Sequence, residues 1–158
     1  MFTCLSFFLQ VSVFFSPSYG ESDCTSEIVK HIQAATNTVL VQAYNFTSRP
    51  IGSALVAASR AGVRVHVIVD RVSGSQKNEQ VSVCQAAGIP VLVDKAHKIQ
   101  HNKIMIIDNC LVITGSFNFT ANAQNSNAEN LLVIEDKDIA RTYADNWQRH
   151  ATHSEKYK

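Results

Sequence analysis

Four polar residues occur as two closely spaced pairs in the middle of the chain. His101 and Lys103 are two positions apart and open an apolar run, while Ser116 and Asn118 are two apart and follow a second run. Alternate residues of a β-strand point to the same face, so each pair projects together. A hairpin turn at Asp108 brings both pairs to the same end of two neighbouring strands. An imidazole, an ammonium, a hydroxyl and a carboxamide in one cluster suit a tetrahedral anion such as a phosphodiester.

The stretch from His101 to Asn118 reads HNKIMIIDNCLVITGSFN. It resembles the HKD motif of the phospholipase D superfamily, His-x-Lys-x4-Asp-x6-Gly-Ser-x-Asn, at every fixed position. The likeness is narrower to the small bacterial Nuc-type endonucleases, which carry one such motif per chain. It runs from about Thr38 to Trp147 and includes IQHNKIMIIDN, TGSFNFT and NSNAEN. The resemblance implies metal-independent hydrolysis of a phosphodiester through a covalent phosphohistidine.

The chemistry needs a nucleophile, charge stabilisation and a proton donor. A neutral His101 supplies the nucleophile if its second ring nitrogen is held by an acceptor. Glu129 is the predicted acceptor, because it precedes the last strand, where the Nuc-type pattern also carries a glutamate. Lys103 and Asn118 are expected to bind the non-bridging phosphate oxygens. Ser116 is expected either to donate a further hydrogen bond to phosphate or to position His101.

Asp108 is the remaining fixed polar residue of the motif. A turn-forming aspartate at this point caps the hairpin or pairs with a basic residue. We therefore predict a structural role for Asp108 in preference to a chemical one, although the motif includes it among the catalytic residues.

The chain carries only one copy of the motif, and a phosphohistidine mechanism needs an acid on the far side of phosphorus. The other histidines have no lysine two positions later: His31, His66, His97, His150 and His153. The resemblance therefore implies a homodimer that shares one active site, with two His101 side chains facing each other across a two-fold axis. Such a pair titrates as a coupled unit and predicts a bell-shaped pH–rate profile.

The sequence predicts no metal and no other cofactor. No HxH or HExxH spacing occurs, and Asp70, Asp94, Asp108 and Glu129 form no evident ligand cluster along the chain. In the predicted scheme, Lys103 performs the electrostatic role that Mg²⁺ performs in other nucleases. Activity is therefore expected to persist in excess chelator.

Composition says little about partners, because the formal net charge is only +1. Phosphate affinity must therefore come from local clustering. Lys95, His97 and Lys98 lie just ahead of His101 and Lys103 and form one basic stretch with them. A phosphate-binding stretch and an ordinary solvated loop are equally expected for the first three residues.

The order of elements predicts a single α/β domain over residues 21–150, with a mixed β-sheet sandwiched between helices. Strands alternating with helices indicate parallel pairing with helical crossovers, and the motif hairpin adds antiparallel strands. The expected strands are 39–43, 63–69, 89–93, the motif hairpin and 130–134, and the expected helices are 25–36, 50–61, 76–87 and 136–150. A polar turn is expected at 71–76, a polar loop at 122–127, which could form a substrate rim, and a polar tail at 151–158.

Residues 1–20 carry no charge and are rich in phenylalanine, leucine and valine. Small residues near Gly20 fit a signal peptidase site, so we predict a signal peptide outside the fold and a secreted or periplasmic protein. An uncleaved membrane anchor is the alternative. The three cysteines beyond this segment, Cys24, Cys84 and Cys110, form neither a disulfide framework nor a zinc spacing, and a single bridge is left open.

Three functions follow from these observations. The first is a non-specific nuclease acting on DNA, with RNA as a second candidate substrate, which the short chain favours because little sequence is left to build a lipid pocket. The alternative is a phospholipase D that hydrolyses phospholipids such as phosphatidylcholine or cardiolipin by the same chemistry. The third, a phosphate-binding module without activity, is disfavoured by the intact motif.

Overall fold

The computed structural model describes residues 9–18, 20, 22–75 and 78–158, and it contains one mixed sheet with helices on both faces. The strands are β1 (Gln10–Ser16), β2 (Thr38–Ala43), β3 (Arg64–Asp70), β4 (Val91–Asp94), β5 (Lys103–Ile107), β6 (Leu111–Gly115), β7 (Glu129–Glu135) and β8 (Glu155–Lys156). The helices are α1 (Cys24–Ala34), α2 (Arg49–Arg60), α3 (Arg71–Ser75), α4 (Glu79–Ala86), α5 (Ala121–Asn125) and α6 (Lys137–His153).

The strand order is β1-β7-β6-β5-β2-β3-β4-β8. β2, β3 and β4 pair in parallel through helical crossovers, whereas β5, β6 and β7 pair antiparallel with their neighbours. Apolar side chains on one face of the sheet pack with α1, α2 and α4, and those on the other face pack with α6. The predicted mixed sheet between helices is confirmed.

The motif hairpin joins β5 and β6 through a tight turn. Asp108 and Asn109 both have positive φ, 52° and 53°. Two successive residues with positive φ match the twist of the flanking strands, and Asp and Asn tolerate this conformation better than other non-glycine residues. The register pairs Met105 with Ile113. Continuing it places Lys103 level with Gly115, so the two polar pairs lie at the same end of the hairpin.

The long helix α6 covers the second face of the sheet. Asp136 caps its first turn by accepting hydrogen bonds from the backbone N–H groups of Asp138 and Ile139. Trp147 is buried, and its ring N–H donates to the carbonyl of Val41 in β2 at 2.9 Å. The helix runs three residues past its predicted end at His150. The expected polar tail is therefore partly helical, and its remainder forms β8 against β4.

The N-terminal segment is part of the sheet where the structure describes it. β1 pairs antiparallel with β7 over seven residues, and the buried hydroxyl of Ser16 donates to the carbonyl of Ala123 at 2.6 Å. Part of the segment predicted to lie outside the fold thus pairs with the sheet in the uncleaved chain. The signal peptide itself stays a prediction, and its cleavage region includes Tyr19 and Glu21, which lie outside the described residues.

Smaller differences concern the connections. The expected polar turn at 71–76 is the short helix α3 in its described part, and most of the expected loop at 122–127 is α5, capped by Thr120. The third predicted helix begins at Glu79, where the Asn78 side chain accepts its first N–H groups. The cysteines at 24, 84 and 110 are free. None of the helices in the described part of the chain has the length and apolar character needed to cross a membrane.

Candidate active site

Four strand ends meet at one end of the sheet and carry the predicted site. His101 and Lys103 lie at the start of β5, Ser116 follows β6, and Glu129 begins β7. Because β5, β6 and β7 are successive antiparallel neighbours, the start of β5, the end of β6 and the start of β7 coincide. Tyr44 follows the end of β2, which pairs with β5 on its other side. The antiparallel order therefore assembles the cluster that the motif spacing predicted.

Lys103 is a buried cation. Only 7% of the residue is exposed, its Nζ donates to the His101 carbonyl at 2.7 Å, and the Tyr44 ring centroid lies 5.1 Å from Nζ. Burial lowers the pKa of Lys103, and the negative charge of Glu129 acts in the opposite direction. A desolvated ammonium interacts more strongly with an anion than an exposed one does. Lys103 is thus placed to bind a phosphate oxygen.

His101 presents its imidazole at the surface of this end. The ring is tilted by 55° against Tyr44, with 4.6 Å between ring centroids. The backbone beside it is fixed, because the Tyr44 N–H donates to the Asn102 carbonyl at 3.0 Å. Among the described residues no hydrogen bond to the imidazole is formed, so both ring nitrogens are open to a substrate or a second chain.

Glu129 does not contact His101 as the sequence predicted. Its carboxylate accepts the Ser116 hydroxyl at 2.5 Å and the Asn127 side-chain amide at 3.0 Å. Since a serine hydroxyl carries one proton, Ser116 has none left for phosphate while this bond exists. The structure therefore corrects two expectations: Glu129 positions Ser116, and Ser116 acts in this state as an acceptor, here for the Asn130 N–H at 3.1 Å.

Backbone geometry fixes the segment that leads to Asn118. Gly115 has φ of +146°, and a Cβ added there would lie 2.3 Å from the Asn130 carbonyl oxygen. That same oxygen accepts the N–H groups of Ser116 and Phe117. Any side chain at Gly115 would therefore displace the loop. Asn118 ends this turn, and its buried Oδ1 has no hydrogen-bond partner among the described residues. This oxygen can only accept a hydrogen bond, so any contact of Asn118 with a phosphate oxygen must be made by its side-chain NH₂ group.

Asp108 lies at the opposite end of β5 from His101. Its carboxylate accepts hydrogen bonds from the backbone N–H groups of Thr36, Asn37 and Thr38, each at 2.8 Å, and from the Thr36 hydroxyl at 2.9 Å. Burial alone would raise the pKa of Asp108, but these hydrogen bonds lower it. These contacts tie the α1–β2 connection to the hairpin and match the structural role predicted for Asp108. They give no support for counting Asp108 among the catalytic residues.

Two residues of the basic stretch ahead of His101 are paired with carboxylates. Lys95 pairs with Glu155 at 2.7 Å, and the His97 ring lies 2.9 Å from Asp94, so neither is free to bind phosphate as an isolated cation. Asp94 is also contacted by His150 and His153 from α6. Sequence reasoning missed this cluster, because α6 brings together residues more than 50 positions apart.

Two further residues of the site were not predicted from the sequence. Tyr44 supports both the His101 ring and the Lys103 ammonium, and Asn130 supports Ser116 through its backbone and its side-chain amide. Tyr44 directly follows a predicted strand, which was the only signal for it. Asn130 was predicted as a strand residue, and its role depends on the β6–β7 register.

The assembled groups define a class of protein. An imidazole and a buried ammonium at one end of the sheet, together with a carboxamide whose NH₂ group is a donor, can attack phosphorus and donate hydrogen bonds to its oxygens. This arrangement on a mixed α/β sheet is that of a phosphodiester hydrolase.

Comparisons with known proteins give the family. Residues 28–151 match the family described as cardiolipin synthase, PLD-like domain. The phospholipase D of Rickettsia felis is 43% identical over 138 residues, or 87% of this chain and 68% of that protein. The mitochondrial cardiolipin hydrolase of Mus musculus is 32% identical over 124 residues, or 78% of this chain and 56% of that protein.

Two solved structures share the whole fold. The phospholipase D family member Nuc from Salmonella typhimurium has a TM-score of 0.87 and 32% identity, covering 96% of this chain and 99% of that one. NucT from Helicobacter pylori has a TM-score of 0.83 and 25% identity, covering 95% and 100%. The chain belongs to the phospholipase D superfamily, with Nuc-like relatives, and is a phosphodiester hydrolase.

Proposed function

We propose that this protein is a metal-independent endonuclease that hydrolyses DNA, with RNA as a second substrate, through a covalent phosphohistidine on His101. The observation that carries the proposal is the meeting of an exposed imidazole and a buried ammonium at one end of the sheet, where the turn that ends at Asn118 also lies. An anion bound there would pair with the Lys103 ammonium and could accept hydrogen bonds from the side-chain NH₂ group of Asn118.

The reaction has two balanced steps. A ring nitrogen of His101 attacks phosphorus, the bond between phosphorus and the leaving oxygen breaks, and that oxygen takes a proton from a second acid. Water then attacks the phosphohistidine and gives its proton to the now neutral second group, and the bond between phosphorus and nitrogen breaks. Lys103 stabilises the negative charge on the non-bridging oxygens throughout.

The second acid is, in this proposal, His101 of another copy of the chain. A two-fold axis beside the exposed His101 ring would face two imidazoles across one phosphate. Mixing wild-type and His101→Ala chains at equal amounts, with subunit exchange, is expected to leave about a quarter of the wild-type activity at the same total chain concentration, because only all-wild-type dimers work. Retention of half would contradict the shared site.

Nucleic acid is favoured as substrate by the relatives that match over their full length. Nuc and NucT are covered almost completely by this chain and share its fold. The open position of His101 also suits a polymer that must reach the site along a surface.

Phospholipid is the second candidate, and two observations favour it. The Rickettsia felis relative bears the name phospholipase D and is 43% identical. In addition, Leu9, Val11, Val13 and Phe15 leave an exposed apolar stripe along β1 and the residue before it. Such a stripe could contact a lipid surface.

The proposal includes export of the protein, and export would affect the apolar stripe because the stripe lies within the predicted signal peptide. Cleavage of the predicted signal peptide after Gly20 would remove β1 and leave β7 as the sheet edge. Intact mass measurement of the protein from the periplasm or medium tests this directly. A mass that includes residues 1–20 would exclude cleavage and favour the anchored alternative.

The deciding experiment compares the full chain with His101→Ala. Each is incubated briefly in excess EDTA with supercoiled plasmid and, separately, with vesicles of phosphatidylcholine and cardiolipin. Nicking by the parent alone supports the nuclease, whereas release of headgroup or phosphatidic acid without nicking moves the lipid function ahead. Nicking only after Mg²⁺ is restored would contradict the phosphohistidine mechanism.

A further inference from the structure

A second cluster of imidazoles lies beside the last residue of β4. Asp94 is fully buried, and its Oδ2 atom lies 2.9 Å from His97 Nδ1, 2.9 Å from His150 Nδ1 and 3.4 Å from His153 Nε2. His97 belongs to the loop that follows β4, and the other two histidines belong to the last turns of α6. Three elements thus converge on one carboxylate oxygen.

The spacing of these atoms fits a single metal ion. One ligand atom from each of the four residues lies within 4.8 Å of every other. Zinc binds imidazole nitrogen at about 2.0–2.1 Å, so the edges of its coordination tetrahedron are about 3.3 Å. The three distances to Asp94 Oδ2 bracket this edge length. Small side-chain rotations are therefore enough to accommodate an ion at the centre.

The carboxylate is oriented for this role by its other oxygen. Asp94 Oδ1 accepts the backbone N–H groups of Ala96 and His97 at 3.0 and 3.3 Å. These bonds turn Oδ2 toward the three imidazoles. Fixing of a ligand by hydrogen bonds at the atom that does not bind the metal is a general feature of protein metal sites.

The three histidine rings are packed close together around one carboxylate. Their centroids lie 4.9 to 5.3 Å apart, so each ring can turn one nitrogen toward a common centre beside Asp94. A divalent ion uses the lone pairs of three neutral imidazoles and the charge of one carboxylate. Nitrogen with one oxygen is a donor set that suits zinc and related ions.

We propose that Asp94, His97, His150 and His153 bind one divalent transition-metal ion of the zinc class, at a site separate from the phosphodiester chemistry. Solvent can reach it, because the His97 and His153 side chains are 48% and 35% exposed. The four ligands complete a tetrahedral shell, which is typical of a structural rather than a catalytic zinc site.

The site would join the C-terminal part of the chain to the loop that carries His101. His153 lies two residues before β8, which pairs with β4. On the other side, Asp70 is level with Asp94 and accepts the Gln100 N–H at 2.8 Å, one residue before His101. A bound ion is therefore expected to stabilise the folded chain and to hold this loop.

The test uses the full chain without a histidine tag, stripped with chelator and dialysed against Zn²⁺ or Co²⁺. We expect about one equivalent of metal per chain by mass spectrometry, a tetrahedral visible spectrum with Co²⁺, and a melting temperature raised by about 3 °C or more by Zn²⁺. His97→Ala and His153→Ala, which alter the exposed ligands, should each weaken binding at least about tenfold. The matched control, His31→Ala on α1, should bind as the parent does.

Two results would overturn the proposal. One is binding of less than a tenth of an equivalent with no change in melting temperature. The other is binding by the His97→Ala, His153→Ala double variant that equals the parent's, which would place the metal elsewhere. Circular dichroism confirms that each variant is folded. The metal titration is also run on His101→Ala, which lacks the proposed nucleophile. Metal binding equal to the parent's in this variant shows that the metal site does not depend on the proposed phosphodiester hydrolysis.

Discussion

This molecule has two sites that contain histidine: the candidate active site at His101 and the cluster of His97, His150 and His153 around Asp94. His97 and His101 are only four residues apart in sequence, yet the two sites, referred to below as the two clusters, are built around opposite charges. At His101 the buried charge is the ammonium of Lys103, and the imidazole has no hydrogen-bond partner among the described residues. At His97 the buried charge is the carboxylate of Asp94, and three imidazoles converge on it. The first arrangement is complementary to an anion and the second to a cation.

The difference shows that residue type does not decide what a histidine does. In the two proposals, the same type of side chain acts beside a desolvated cation as a nucleophile toward phosphate and beside a desolvated carboxylate as a metal ligand. The sign of the one buried charge sets the use of each cluster, because burial amplifies its field. Substitutions that remove the charge beside His101 should therefore leave metal binding at Asp94 unchanged.

The largest effect is expected from Lys103→Met. The substitution keeps the apolar stem and removes the charge that binds the phosphate oxygens. We expect kcat for plasmid nicking to fall about 10²- to 10³-fold, with metal binding at Asp94 unchanged. Lys98→Met, at an exposed position of the same loop, is the matched control and should change the rate less than twofold. An equal loss in both variants would show that only overall charge matters.

The pH dependence of substrate binding follows from the same lysine. Because burial lowers the pKa of Lys103 below its ordinary value, the charge is lost at a lower pH than for an exposed lysine. In the inactive His101→Ala protein, oligonucleotide affinity should fall as pH rises through that lowered pKa. Fluorescence anisotropy from pH 7 to 11 measures it. Lys103→Met in the same background should show a flat profile over this alkaline range, and a parallel decline would assign the titration to another group.

Ser116 and Glu129 should act as one unit. Their hydrogen bond is 2.5 Å long, and Ser116→Ala or Glu129→Gln removes or weakens it. Each single change is expected to lower kcat about tenfold through misplacement of the turn that holds Asn118, and the double variant should cost little more than either alone. Full additivity in kcat would mean that the two residues act independently.

Asp108→Asn should affect stability and not chemistry. The carboxylate accepts four hydrogen bonds at the end of the hairpin remote from His101, so its neutralisation is expected to lower the free energy of unfolding by about 1–3 kcal/mol. Urea unfolding measures this, and the nicking rate of folded protein should be unchanged. A large fall in kcat at full folding would return Asp108 to the catalytic set.

The sign of the pH effect at Asp108 can be stated. Its pKa is lower in the folded chain than in the unfolded one. Its contribution is therefore fully present above the unfolded value of about 3.9 and is lost as pH falls through the lower folded value. The difference in stability between parent and Asp108→Asn should shrink toward acid pH in the same unfolding assay.

The smallest effect is expected from Lys95→Ala. This residue belongs to the basic stretch, yet it pairs with Glu155 on the exposed β8 segment. An exposed pair adds little to stability, and Lys95 does not reach the active site. The nicking rate should change less than twofold. A larger loss would extend the anion-binding surface past His97 and weaken the contrast between the two clusters.

The sequence determined the hairpin, the end of it at which its polar pairs lie, and the sheet that carries them. The two-residue spacings of His101 with Lys103 and of Ser116 with Asn118 are local, and a β-strand converts them into a shared direction. The alternation of strands and helices likewise determined the parallel half of the sheet. These predictions succeeded because each depends on neighbours along the chain.

Tertiary structure decided the contacts between distant segments. The β6–β7 register brings the Glu129 carboxylate within hydrogen-bond distance of the Ser116 hydroxyl. The position of Tyr44 at the end of β2 brings its ring against His101 and Lys103. The packing of α6 on the sheet brought His150 and His153 to Asp94, and β1 found its place only beside β7. No local pattern encodes such pairings, because they depend on which apolar faces bury each other when the whole chain folds.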